Sequence, residues 1–166
     1  MTPHTLTFAA VLSTAVRFAT VAQAEEKEPI AIFEIGGAGN WTVPNAASVG
    51  PTVAVEFTPI KDWLEIEIGT GPLFGSGATD WSTDILFKKP FELSNIAELM
   101  VGAGPAFDLT FGGTTKIGAE FALDFMFWPW PDRNYGWFLE PSYTYSFING
   151  RAQSFGVSAG LLIAIR

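Results

Sequence analysis

The chain has 166 residues, a net charge of −8 and no cysteine. That length suffices for one domain with its own core. The missing thiols exclude disulfides, thiol catalysis and thiolate metal sites, and the acidic balance disfavours nucleic acid as a partner. Charged residues make up 16% and hydrophobic ones 48%, with 15 Phe and 6 Trp, whereas an ordinary soluble domain is about 25% charged.

In chain order, residues 1–24 come first and read as a secretory signal. Leu6 to Val16 is mostly apolar, and Ala22-Gln23-Ala24 is a small-x-small cleavage site before the polar segment 25–29. The absence of an early Lys or Arg, and Arg17 within the apolar stretch, depart from the usual signal pattern. Cleavage after Ala24 removes Arg17 and no acid, which takes the net charge from −8 to −9. Beyond it no run of 18 apolar residues is free of charge, so no membrane-spanning helix is expected. A hydrophobic chain without such a helix is either a large-core soluble protein or a membrane β-barrel.

Residues 30–166 alternate between apolar and small or polar side chains. Successive strand side chains point to opposite faces, so the alternation predicts strands near 30–42, 50–59, 62–74, 79–91, 97–111, 115–128, 136–148 and 152–166. Short connections containing Gly, Pro, Asn or Asp join them. The last pair is the clearest. Trp137, Leu139, Pro141, Tyr143, Tyr145 and Phe147 share one face and Glu140, Ser142, Thr144 and Ser146 the other, with a tight turn at Asn149-Gly150. Weak repeats recur along the chain: Glu34-Ile35-Gly36 with Glu67-Ile68-Gly69, and Gly71-Pro72 with Gly104-Pro105. An even number of strands, hairpin connections and a dyad repeat predict an all-β fold, an eight-stranded antiparallel up-and-down transmembrane β-barrel.

Side-chain volume decides which face is inside. An eight-stranded barrel has a lumen just wide enough for side chains to fill. Phe33, Trp41, Phe57, Trp81, Phe87, Phe107, Phe121, Phe125, Tyr143 and Phe155 are too bulky for it. Gly36, Gly69, Gly71, Gly102, Gly104, Gly118, Gly156 and Gly160 fit. Aromatic residues also fall into two rims, as interfacial belts do: Trp41, Phe74, Trp81, Phe111, Phe147 and Phe155 at one, and Trp63, Phe91, Phe127, Trp130 and Trp137 at the other. The competing arrangement is a soluble periplasmic barrel with its apolar face inward around an apolar ligand. Pro72, Pro105 and Pro141 interrupt strands that have no free edge, so bulges or missing ladder bonds are expected there.

On these patterns the chain resembles the small eight-stranded bacterial outer-membrane barrels of the OmpX type and the OmpA domain. Ser154–Ile165 is similar to the C-terminal strand read by the barrel-assembly machinery, but it ends on Arg166 rather than on an aromatic residue. The resemblance implies secretion to the periplasm and residence in the outer membrane as a monomer. Its implied partners are outer-membrane lipid and, during biogenesis, the assembly machinery. No cofactor is expected.

With the large face outward, the lumen is acidic. Glu34, Glu56, Glu65, Glu67, Asp80, Asp84, Glu98, Asp108, Glu120, Asp124 and Glu140 point inward with Lys88 and Lys116, and Arg166 lies at one end. A two-residue turn at Ile60-Lys61 predicts Glu56 opposite Glu65. The loop around 75–80 predicts Glu67 opposite Lys88, and a turn around 131–133 brings Asp124 near Glu140. Opposed side chains lie about 5 Å apart, and two such carboxylates do not both ionise cheaply, so one holds a proton or shares a cation. The alternatives are a packed polar plug, a cation binder and a narrow cation- or proton-conducting pore. Enzymatic activity is not expected. His4, the sole histidine, falls in the expected signal, so Ser154 and Ser158 have no imidazole base, although an acid-only hydrolase stays open. Short connections leave no large binding surface.

Overall fold

The computed structural model describes residues 29–44, 46–77, 79–148 and 151–166. The expected signal, nearly all of the polar segment and the Asn149-Gly150 turn lie outside them. Eight strands follow one another: β1 (Ala31–Thr42), β2 (Ala46–Ile60), β3 (Leu64–Gly75), β4 (Thr79–Ser94), β5 (Ala97–Thr110), β6 (Thr115–Phe127), β7 (Tyr135–Ile148) and β8 (Ala152–Ile165). Each pairs antiparallel with its neighbour in sequence, and β8 pairs with β1 to close the barrel. Closure removes the exposed edge that an open sheet would present.

Stagger sets the size of a closed barrel together with strand number. The register runs from Ile32 through Glu56, Glu67 and Leu86, crosses the unpaired stretch of β4 and β5 at Gly104, continues through Glu120, Thr144 and Ser154, and returns to β1 at Thr42, ten residues further on. The β1–β8 seam is tight because glycine faces glycine there, Gly36 opposite Gly160. A Cβ at Gly160 would lie 2.6 Å from the Gly36 Cα, and one at Gly36 would lie 2.9 Å from the Gly160 Cα.

The three odd-strand prolines are accommodated by missing ladder pairs without any shift of register. Pairing of β2 with β3 skips from Val49–Phe74 to Val53–Thr70 around Pro72. Pairing of β4 with β5 skips from Asp84–Ala106 to Phe87–Ala103 around Pro105. Pairing of β6 with β7 skips from Ala122–Ser142 to Phe125–Leu139 around Pro141. In each case the strand on the other side stays in register with the proline, as Trp81, Ala119 and Val157 do. Proline has no N–H to donate, so one side of its strand lacks a ladder bond while the other keeps its pairing.

The sequence expectation differs from the structure at two places. β2 starts at Ala46 rather than near 50, because Ala46, Ala47 and Ser48 are too small to show an alternation yet pair fully with β1, and β4 runs to Ser94, which pairs with Ala97 of β5. The β2–β3 connection spans residues 61–63, and the register slips between Phe57 and Ile60. Glu56 therefore faces Glu67, not Glu65, and on the next strand pair Lys88 faces Glu65, not Glu67.

Candidate functional site: a buried carboxylate cluster in the lumen

The pleat delivers the inward set as expected. Glu34, Glu56, Glu65, Glu67, Asp124 and Glu140 are all buried, and so is Lys88. They come from six of the strands, β1 through β4, β6 and β7, at one level of the lumen. Lys88 sits at its centre because its β5 partner is Gly102. A Cβ at Gly102 would stand 2.7 Å from the Lys88 Cγ, so the missing side chain makes room for the lysine stem.

An ammonium has three donors, and all three of Lys88 are used. They go to Glu67 Oε2, to Asp124 Oδ2 at 3.0 Å and to Glu140 Oε2 at 2.6 Å. Pairing of β6 with β7 on either side of Pro141 puts Asp124 across from Glu140, as the turn at 131–133 predicts. Glu67 reaches Lys88 although it is offset along the strand from the expected register.

Other oxygens of the cluster have no such donor. Glu34 Oε1, both oxygens of Glu56 and Asp124 Oδ1 are buried and receive no hydrogen bond from a protein donor. The Glu56 carboxyl lies against that of Glu65. Six buried carboxylates thus surround one ammonium. Burying charge is costly unless it is paired, so protons or bound cations must supply the rest of the balance.

The other inward residues lie away from this cluster. Asp84 and Glu120 join Glu34, Glu67 and Glu140 in lining a cavity of about 90 Å³ that runs from the cluster toward the rim marked by Asn40 and Asp108. Thr144 Oγ1 donates to Glu120 at 3.2 Å. At the rim beyond, Asp108 accepts from Ser82 Oγ at 2.8 Å and Asp80 accepts from Thr110 Oγ1 at 2.6 Å. Lys116 is the cross-strand partner of Asp108. Glu98 lies at the opposite end, where Arg133 pairs with it at 2.8 Å, and Arg166 lines the same vestibule.

One feature of the lumen escaped the sequence. Toward the end nearer the chain termini, part of the inward face is apolar. Ile32, Met100, Met126, Trp128, Phe138 and Leu162 pack into one buried cluster, with Leu86 also fully buried. They form a floor beneath the carboxylates. Their phase is the signal that could have found them, since Ile32, Met100, Met126, Phe138 and Leu162 each lie two residues from an inward small or acidic residue, Glu34, Gly102, Asp124, Glu140 and Gly160, and Trp128 continues the phase of Met126.

The outer surface is the inverse of an ordinary one. Both expected rims are exposed, for example Trp41 and Phe155 at the loop end and Trp63 and Trp137 at the other. Among the described strand residues, Lys89 is the one outward charge along the ladders. It lies near the terminal rim, donates to the Asp62 carbonyl at 3.2 Å and sits 5.5 Å from the centre of the Phe91 ring. Outward hydroxyls find partners on the wall itself: Thr70 and Thr83 bond each other at 2.9 Å, and the Trp81 indole N–H donates to Thr70 at 2.9 Å.

No protein-family model and no curated protein matches the chain. Solved structures do, and small outer-membrane barrels are among them. Neisserial surface protein A (NspA) is similar with a TM-score of 0.64 at 15% identity, over 81% of this chain and 96% of that one. The N-terminal β-barrel domain of Pseudomonas aeruginosa OprF aligns with a TM-score of 0.57 at 12% identity, over 82% and 100%. Ail, the attachment invasion locus protein of Yersinia pestis, gives 0.50 at 16% identity, over 82% and 100%. At these identities the likeness establishes the fold, the closed eight-stranded meander that the alternation predicts.

Proposed function

We propose that the chain is an integral outer-membrane barrel with a structural or envelope-interaction role, whose lumen is a blind acidic well and not a through-pore. The observation that carries the membrane reading is the outer wall. Its strand positions are apolar or small over nearly their whole length, and its few polar groups are satisfied within the wall or placed at a rim. Groups facing hydrocarbon must be satisfied that way. Contiguous apolar surface beyond a few hundred Å² marks an interaction or membrane face in a folded protein. A soluble barrel with an apolar ligand inside would need the opposite assignment of faces, and its lumen would not hold six carboxylates.

The apolar floor argues against the narrow-pore alternative. Toward the termini Met126, Phe138 and Leu162 fill part of the cross-section with side chains that offer no oxygen, which leaves Glu65 as the cluster carboxyl that borders the terminal vestibule. Planar-bilayer recording tests this reading. Purified barrel should insert and stay silent, whereas steady cation-selective steps from the unaltered chain would replace the well with a pore.

A further inference from the structure

The geometry points to a binding site for a hard divalent cation of Ca²⁺ size, held by Glu34, Glu56, Glu67 and Asp124, the last two of which also bond Lys88. This inference rests on the blind-well reading of the lumen and adds an occupant to it. Each of the four residues brings one carboxylate oxygen within 4.8 Å of the others. Those residues come from β1, β2, β3 and β6, so the closed barrel and not a local motif assembles them.

Two further observations separate the group from a mere collection of acids. The first is the donor count. Lys88 spends its three N–H groups on Glu67, Asp124 and Glu140 and has none left for the remaining oxygens. The second is that Glu34 Oε1 and Asp124 Oδ1 receive no hydrogen bond, and the Glu56 carboxyl meets only another acid, Glu65, in side chains of Glu34, Asp124 and Glu56 that are 2%, 0% and 0% exposed. A cation that coordinates several of them at once would remove that cost.

The size follows from bond lengths. Ca²⁺ binds oxygens at 2.3–2.6 Å, so ligands on opposite sides stand about 4.6–5.2 Å apart, whereas Mg²⁺ at 2.0–2.1 Å spans only about 4.2 Å. A spread of up to 4.8 Å has room for the larger ion. An oxygen-only set with no imidazole or thiolate also favours hard ions over zinc or copper. Asp84 and Glu120, on the wall of the cavity that leads from the loop rim, give the ion an acidic path in.

The test is calorimetric titration of CaCl₂ and MgCl₂ into the whole barrel, refolded in detergent and stripped with EDTA, with the folded state of every sample checked by its gel migration. The expected result is one Ca²⁺ per barrel, Mg²⁺ at least tenfold weaker, and at least tenfold weaker Ca²⁺ binding in Glu34→Gln and in Glu56→Gln. Glu92→Gln, on the exposed end of β4, should bind as the parent does. Both lumenal variants keep the side-chain volume and lower the buried charge, so the apo barrel should be no less stable. Folded parent with no saturable Ca²⁺ binding would overturn the site, and so would equal binding in parent and both lumenal variants. Either outcome leaves the bilayer recordings, and the blind well they test, unaffected.

Discussion

Replacing Lys88 with Met isolates the electrostatic core of the lumen. Methionine keeps the length of the stem beside Gly102 and deletes the ammonium that bonds Glu67, Asp124 and Glu140. Removing one partner of a buried ion pair costs about 3–5 kcal/mol. Here three acceptors lose their donor together, so the upper end applies, about 5 kcal/mol. Urea unfolding of barrels refolded into lipid vesicles at pH 7 without divalent ions would measure the loss. Adding Glu140→Gln to the lysine variant should recover about 1–2 kcal/mol, because contacting residues are not additive. A loss below about 1 kcal/mol, or strict additivity of the two changes, would refute the view that the ammonium organises the cluster.

Three further outcomes test other parts of the wall. Gly160→Ala should weaken the β1–β8 seam by about 3 kcal/mol, since backbone cannot yield as a side chain does. Gly37→Ala, whose nearest neighbour would be the Gly50 carbonyl at 3.8 Å, should stay within about 0.5 kcal/mol; equal losses in unfolding experiments would contradict the close-packed seam. Phe121→Arg, at mid-strand on the outer face, should cost about 2–4 kcal/mol in vesicles and Trp63→Arg at the rim about 0–1 kcal/mol, and no difference between them would argue that the face is not in lipid. Trimming the floor with Met126→Ala and Phe138→Ala should turn a silent barrel into one with cation-selective steps in planar bilayers, and continued silence from a folded variant would place the barrier elsewhere.

Alternation made most of the fold legible. A large outward residue every second position, as from Trp137 to Phe147 or Phe155 to Ile165, fixes strand, face and neighbour at once. Register was less legible where a turn was not the simplest kind. A three-residue connection and a slip next to Phe57 moved Glu56 from Glu65 to Glu67, and no side-chain pattern reports such a slip. The acids of the buried cluster were all recognised, but their gathering around Lys88 depends on stagger, which joins residues as distant in sequence as Glu34 and Glu140. The floor stayed hidden because Met100, Met126 and Phe138 stand beside large outward neighbours, so an apolar residue in the inward phase does not stand out from the wall.

The most direct measurement is migration on SDS gels, unboiled and boiled, of chain recovered from the outer-membrane fraction of the cells that make it. A closed barrel held by hydrogen bonds around its full circumference should survive the detergent cold and run at a different position until heated. It should also stay with the membrane pellet when peripheral proteins are washed off. Chain found in the soluble periplasmic fraction, with one position before and after boiling, would contradict the membrane barrel.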